Sequence, residues 1–197
     1  MTVMEQIIKL AKNNNGIVTS EMVRNANISR GNLKYMADKG YLEKTARGVY
    51  ILPEIWEDEF INLQSRFKKG IFSNETALFL LDMTDRTPNY YCMTFPSNYN
   101  LSNPKKESIH CFRANKELYD LGVVLLKTPN GNTVRTYGIE RTLCDILKPT
   151  NCIDIQIISE AFKRYTCAKE KNIPLLSEYA KKLKVENRLR NYLEVLL

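Results

Sequence analysis

The segment YGIERTLCDIL, residues 137–147, carries the most chemically capable side chains in the sequence. Its carboxylates, Glu140 and Asp145, can act as a general acid and base or bind a metal ion. On a helix, however, Arg141 and Asp145 lie four residues apart and face each other, which favours an ion pair. Because no second carboxylate motif and no glycine-rich phosphate loop accompany the segment, we expect a structural pair here and no catalysis.

The cysteines and the single histidine also give little support to a metal site. The five cysteines contain no CxxC pair, and His110 has no second histidine near it in the sequence. A zinc knuckle or a disulfide framework would need such pairs. We therefore expect no metal and no cofactor.

A second set of capable side chains follows a short predicted helix, residues 29–39, and the hairpin after it. Arginine can read guanine edges and asparagine can read adenine edges in the DNA major groove. Hydroxyl groups and lysines can contact phosphates. The candidate DNA-binding residues are Ser29, Arg30, Asn32, Lys34, Tyr35, Lys39, Lys44 and Arg47.

The charge distribution agrees with a nucleic-acid partner. The formal net charge is +7 and the isoelectric point is about 9.1. Residues 1–52 hold eight Lys or Arg and four Asp or Glu, so +4 of the +7 lies in about a quarter of the chain. Such a concentration favours binding to a polyanion.

The elements around these residues predict a winged helix-turn-helix over residues 1–53. Apolar spacing predicts helices over residues 3–14, from about 20 to between 25 and 27, and over 29–39, with Ser29 as the cap of the third. Short strands are predicted at 41–42 and 49–52, joined by the turn EKTARG. The second helix of such a core enters the major groove.

The remainder predicts a linking helix and a larger second domain. Residues 54–70 place Trp56, Phe60, Leu63 and Phe67 along one helical face. Residues 71–197 then combine a helix capped at Ser73, four strand patterns, a helix from 140 to 147 and a helical tail. The predicted fold class is α+β, with an N-terminal winged helix-turn-helix joined by a helix to a mixed α+β domain.

The tail is basic, with nine Lys or Arg against three Asp or Glu from Lys163 to Arg190. Its predicted amphipathic helices place a row of cations on the outer face, which is a possible partner surface. These cations are Lys181, Lys182, Lys184, Arg188 and Arg190.

The sequence favours a cytoplasmic protein. No apolar run approaches the roughly 20 residues that a membrane span needs. The N-terminal segment has charges within its apolar stretch and no small-residue cleavage site, so a secretory signal is not expected.

The chain as a whole resembles the AbiEi antitoxins of AbiE abortive-infection systems. The resemblance rests on GYLEKTARGVYIL in the winged helix, SNETALFLL at the start of the second domain, and YGIERTLCDIL. It extends over nearly all 197 residues. The GIERTLCD stretch, with Glu140, Arg141, Thr142 and Asp145, is the signature of the antitoxin domain in this resemblance.

The resemblance implies a bifunctional protein that is not an enzyme. The winged helix would bind inverted repeats upstream of the antitoxin–toxin operon and repress it. Separately from the resemblance, we expect the chain to be a monomer in solution or to pair on DNA. The second domain would neutralise a nucleotidyltransferase-like toxin encoded by the next gene. AbiE systems are classed as type IV, in which antitoxin and toxin need not form a stable complex.

Two other functions fit parts of the sequence. A repressor that senses a small ligand through its β-rich domain would need no toxin partner. A DNA-directed nuclease would suit the basic charge, but Glu140 and Asp145 are a poor substitute for a cluster of acidic metal ligands.

Overall fold

The chain divides into two compact units in its computed structural model, which describes residues 1–196 and their side chains through Glu194. The N-terminal unit comprises residues 1–68 together with 127–134. The second unit comprises residues 69–126 and the chain from 135 onward. Leu197, the last residue of the predicted second domain, lies outside the described residues.

The N-terminal unit contains four helices and a three-stranded antiparallel sheet of order β1-β3-β2. The order helix, helix, helix, hairpin is the predicted one, with β1 as a strand that was not predicted. The elements are α1 (Val3–Lys12), β1 (Ile17–Thr19), α2 (Ser20–Asn25), α3 (Gly31–Asp38), β2 (Glu43–Ala46), β3 (Val49–Ile51) and α4 (Glu59–Arg66).

Apolar side chains from α1, α2 and α3 meet those of the sheet in one core. Their spacing of three and four residues places them on one face of each helix. The fully buried members include Ile7, Ala11, Val18, Val23, Leu33 and Met36.

The boundaries of α3 and of the hairpin differ from the prediction. The N-cap of α3 is Arg30, and Ser29 stands one residue earlier, where its hydroxyl accepts a 3.4 Å hydrogen bond from the Gly31 amide. The first hairpin strand is not 41–42 but β2, because the turn is only Arg47-Gly48 and Gly48 takes a φ of +79° that glycine adopts easily. The residues EKTA are therefore strand and not turn.

The linking helix predicted over residues 54–70 is shorter than expected. It begins only at Glu59, because Asp58 is its N-cap and accepts hydrogen bonds from the amides of Phe60 and Ile61. The placement of Trp56 on its buried face was wrong, since Trp56 precedes the helix and its side chain is 88% exposed.

Residues 127–134 join the N-terminal unit through polar side chains. Oδ2 of Asp58 accepts hydrogen bonds from Thr128 Oγ1 at 2.5 Å and from Asn132 Nδ2 at 2.7 Å. Nδ2 of Asn15 donates to the Gly131 carbonyl at 2.9 Å. Asn130-Gly131 is a turn, as predicted, with a φ of +81° at Gly131.

The second unit combines seven helices with a five-stranded sheet of order β6-β5-β4-β8-β7, within the described residues. Strand β4 pairs antiparallel with β5 and parallel with β8, and β5 pairs parallel with β6. The elements are β4 (Ile71–Phe72), α5 (Asn74–Leu80), β5 (Tyr91–Pro96), α6 (Ser102–Lys106), β6 (Ile109–Ala114), α7 (Lys116–Tyr119), β7 (Val123–Lys127), β8 (Thr133–Tyr137), α8 (Ile139–Ile146), α9 (Ile155–Cys167), α10 (Ile173–Leu183) and α11 (Glu186–Leu196).

The predicted mixed α+β class is confirmed. Helix α8 lies at the centre of the second core, where its apolar face packs with α5, α9 and α10. The buried residues of this core include Leu78, Leu143, Ile146, Phe162, Leu176 and Leu183. Among residues 1–196, no helix is both long and apolar enough to cross a lipid bilayer.

Candidate nucleic-acid interface

Helix α3 presents a polar face because its opposite face is fixed in the core. Leu33 and Met36 are completely buried, which orients the helix about its axis. Arg30, Lys34 and Tyr35 are therefore exposed, and the Tyr35 side chain is 52% exposed although it is large and aromatic. A helix with this orientation offers cations and an aromatic ring to a partner.

The candidate cations of this face have no carboxylate partner. Among the described residues, none forms an ion pair within 4 Å with Arg30, Lys34, Lys39, Lys44 or Arg47. Other cations of the same unit are paired: Arg24 lies 3.8 Å from Glu21, which also binds Lys68. The hydrogen bond and charge of Lys68 lower the pKa of Glu21.

Asn32 is less available than its neighbours. Its side chain is half-buried, and Nδ2 donates a 3.1 Å hydrogen bond to the carbonyl of Ser29. Bidentate recognition of adenine uses both the amide oxygen and the amide nitrogen. Asn32 would have to break this local bond before it could read a base in that way.

The β2–β3 hairpin places Lys44 and Arg47 on the surface. Arg47 occupies the two-residue turn, and Lys44 pairs across the ladder with Tyr50, whose ring is buried. The amide of Ser20 donates to the Gly48 carbonyl at 2.8 Å, which ties the turn to the start of α2. The hairpin turn is thus fixed relative to the start of α2.

A polar chain from α4 supports strand β2, and sequence reasoning missed it. Thr45 Oγ1 donates to Asn62 Oδ1 at 3.1 Å, and Asn62 Nδ2 donates to Glu57 Oε1 at 2.6 Å. Asn62 is buried although it is not among the residues of the predicted apolar helical face, so no local sequence signal indicated this contact.

A groove of about 520 Å³ lies between the end of α3 and strand β2. Lys34 and Lys44 line it, and so do Asp38 and Glu43. Because two carboxylates offset two ammonium groups, this groove has no excess positive charge. The unopposed positive charge of the face lies instead at Arg30, Lys39 and Arg47.

Helix α8 contains the predicted Arg141–Asp145 pair. Arg141 is only 1% exposed, and its Nε donates to Asp145 Oδ2 at 2.9 Å. Nη1 donates to the carbonyls of Leu118 and Leu121, and the guanidinium lies 4.1 Å from the ring centroid of Tyr137. This arrangement holds α8 to the segment before β7.

The other signature residues also have internal partners. Thr142 Oγ1 donates to the Tyr137 carbonyl at 3.3 Å. Glu140 Oε1 accepts a 3.2 Å hydrogen bond from the hydroxyl of Tyr165, and that hydroxyl accepts one from the Asn172 amide. Burial is the main cause that raises the pKa of Tyr165. Each of these contacts ties α8 to its neighbours.

Comparison with known proteins connects the N-terminal unit to a family. Residues 5–53 match the family described as "Transcriptional regulator, AbiEi antitoxin". The match confirms the AbiEi resemblance for this segment, which contains α1 to β3, and it is narrower than the resemblance over nearly the whole chain. No curated protein matches the sequence.

Among solved structures, the chain is similar to the crystal structure of the RV2827C protein from Mycobacterium tuberculosis. The two sequences are 13% identical, and the TM-score is 0.49. The superposition covers 97% of this chain and 80% of that chain.

The AbiEi-matching segment contains all eight candidate DNA-binding residues, whereas the candidate tail surface lies far outside it. Of the tail cations, Lys182 pairs with Glu178 at 2.7 Å and Arg188 donates to the Leu147 carbonyl at 3.1 Å. The remaining three are exposed, so the row is only partly free for a partner: Lys181, Lys184 and Arg190.

Proposed function

We propose that the chain is a transcriptional repressor that binds DNA through α3 and the β2–β3 hairpin. The observation that supports it best is that two features occur in the same segment. The segment that matches AbiEi regulators carries an exposed helix face and a hairpin turn whose cations have no ion-pair partner among the described residues.

The dimensions suit a major-groove helix. Helix α3 is a regular α-helix, and an α-helix with its side chains is about 10–12 Å in diameter. The major groove of B-DNA is about 12 Å wide. With α3 in the groove, Arg30 would approach base edges near the start of the helix, and Arg47 in the hairpin turn would approach a phosphate or the minor groove.

The operator that fits this arrangement is an inverted repeat upstream of the chain's own operon. One short helix reads few base pairs, so specificity requires two copies on half-sites spaced by whole helical turns. The chain would be a monomer that pairs on DNA.

The second unit is proposed to neutralise a nucleotidyltransferase-like toxin from the same operon, without catalysis. Helix α8 with its signature residues forms the internal frame of that unit in this proposal. Its side chains bind other parts of the unit, so the surface that acts on the toxin or its target lies elsewhere.

The deciding experiment is binding of the purified chain to its own upstream DNA and to unrelated DNA at several salt concentrations. Tight, stepwise binding to the upstream DNA alone is the expected result. Equal affinity for both DNAs, with the same steep salt dependence, would reduce the proposal to a basic surface.

Growth during coexpression with the adjacent toxin tests the antitoxin half separately. The full chain is expected to restore growth, and so is a chain with Arg30→Ala and Arg47→Ala, although that variant should no longer repress the promoter. Loss of rescue in the variant would show that neutralisation depends on DNA binding.

A further inference from the structure

A pocket of about 450 Å³ opens in the second unit, between strand β6 and the end of helix α8. Its volume is that of a small-molecule site. The lining residues come from α5, β5, α6, β6, α8 and the chain after α8, so the folded unit, and no single segment, creates the pocket.

The pocket carries an excess of positive charge. Four cationic side chains line it, and only one carboxylate, Asp145, does. Asp145 is already neutralised, because Arg141 binds one of its oxygens and Lys148 Nζ lies 2.6 Å from the other. Lys105 and Arg113 also line the pocket and are exposed, and neither forms an ion pair with any described residue. Nη2 of Arg113 donates a 3.3 Å hydrogen bond to the Tyr99 carbonyl. An anion is the ligand that such a lining attracts.

Arg141 supplies a donor that is fixed before any ligand arrives. Its Nε and Nη1 are used by Asp145 and by two carbonyls. Its Nη2 makes no hydrogen bond to any of the described residues, although the side chain lines the pocket. Because the buried guanidinium is held on three sides, binding an anion at Nη2 costs little side-chain entropy.

The rest of the lining suits a phosphate attached to an organic group. Thr94 and Asn74 add hydroxyl and amide groups beside the cations, while Phe112 and Leu101 add an aromatic and an aliphatic surface. Phosphate oxygens prefer arginine and lysine donors, and an organic group prefers the apolar wall.

We propose that this pocket binds a small organic phosphate, with the phosphate between Arg141, Arg113 and Lys105. The proposal does not depend on DNA binding or on a toxin. It gives the second unit a ligand site that is separate from the candidate nucleic-acid interface.

Calorimetric titration of the full chain with inorganic phosphate and with AMP tests the proposal. We expect one saturable site, with a dissociation constant for AMP of about 1 mM or lower. Tighter binding of AMP than of phosphate is expected if the apolar wall receives the organic group. No saturable binding of either probe would overturn the proposal.

Variants locate the site without disturbing the fold. Arg113→Ala and Lys105→Ala remove exposed side chains, and each should weaken AMP binding by roughly tenfold, the value of one charge-assisted hydrogen bond. Lys169→Ala, the control, removes an exposed charge outside the pocket and should leave the affinity unchanged. Equal effects of all three would mean that the anion binds the general basic surface, and the pocket would be rejected.

A chemical probe gives an independent location. Cys111 lines the pocket and is partly buried, whereas Cys167 is exposed outside it. Bound AMP should slow the alkylation of Cys111 by iodoacetamide and leave that of Cys167 unchanged, as read by peptide mass spectrometry. Protection of both thiols, or of neither, would contradict binding at this pocket.

Discussion

Nδ2 of Asn132 donates a 2.7 Å hydrogen bond to Oδ2 of Asp58, 74 residues earlier in the chain. Thr128 donates to the same oxygen, while Oδ1 caps helix α4. Asp58 is only 3% exposed, yet its carboxylate forms no ion pair with any described residue. Four hydrogen bonds from neutral donors satisfy it, and together they hold residues 127–134 in the N-terminal unit.

Asp58→Ala should destabilise the N-terminal unit by about 3 kcal/mol. The estimate adds roughly 1 kcal/mol for a lost N-cap and 1 kcal/mol or more for each buried donor left without an acceptor. Urea unfolding followed by circular dichroism measures the loss. Asp154→Ala is the matched control, because Asp154 caps α9 at an exposed position and should cost only about 1 kcal/mol. Equal losses would show that the buried network adds nothing beyond the cap.

Arg141→Met should destabilise the second unit by about 3–5 kcal/mol, because it leaves Asp145 and two carbonyls without their buried donor. Arg141→Lys should recover little, since one ammonium cannot reach all three acceptors. The control is Arg164→Met, because the Asp85 partner of Arg164 is largely exposed and water screens such a pair, so its loss should have little effect on stability. Thermal unfolding of the three variants decides, and a full recovery with lysine would contradict this account.

DNA-binding variants should separate base reading from phosphate binding. Arg30→Ala should weaken binding to the operator far more than to unrelated DNA, and Asn32→Ala should do so less strongly because its amide nitrogen is already engaged. Lys44→Ala and Arg47→Ala should weaken binding to both DNAs and reduce the salt slope by about 1 each. Titrations at several salt concentrations measure this, with Lys169→Ala, which removes an exposed charge outside the candidate interface, as the control. Four identical responses would refute the assignment of roles.

Stability should fall at alkaline pH through the buried thiols. Burial raises the pKa of Cys144 from the ordinary 9.0 to about 12. Above pH 9 the unfolded chain loses this proton first, so the free energy of unfolding decreases by about 1.4 kcal/mol for each pH unit until the folded pKa is reached. Urea unfolding at about pH 8 and about pH 10 should therefore show a smaller loss for Cys144→Ala than for the unmodified chain. The exposed Cys167→Ala should lose as much as the unmodified chain, and any difference there would count against the explanation.

Local signals predicted much of the fold and some of the candidate interface. Helix α2 begins at Ser20, close to the predicted start, and the four strand patterns of the second domain are strands. The pairing of Arg141 with Asp145 follows from a spacing of four on a helix, which the sequence displays directly. The exposed face of α3 follows in the same way from the periodicity of its buried residues.

Long-range contacts account for what the sequence did not reveal. In the sequence, Asp58 resembles an ordinary surface acid, because its contacts with Thr128 and Asn132 form only in the folded chain. The pocket joins Lys105, Arg113 and Arg141 from three separate elements, so no window of sequence contains the cluster. The exposed position of Trp56 also depends on where Asp58 starts the helix, and helix starts are less evident than helical periodicity.

The membership of residues 127–134 affects how this chain can change over evolutionary time. The polypeptide crosses between its units at three places, near residues 68, 126 and 134. A single recombination breakpoint after residue 68 would join residues 1–68 of one parent to the rest of the chain of another. The carboxylate at position 58 would then have to accept hydrogen bonds from residues 128 and 132 of the other parent. The two stretches must therefore be inherited as a pair, and exchange of DNA-binding modules among relatives would favour lineages in which Asp58, Thr128 and Asn132 are transmitted together.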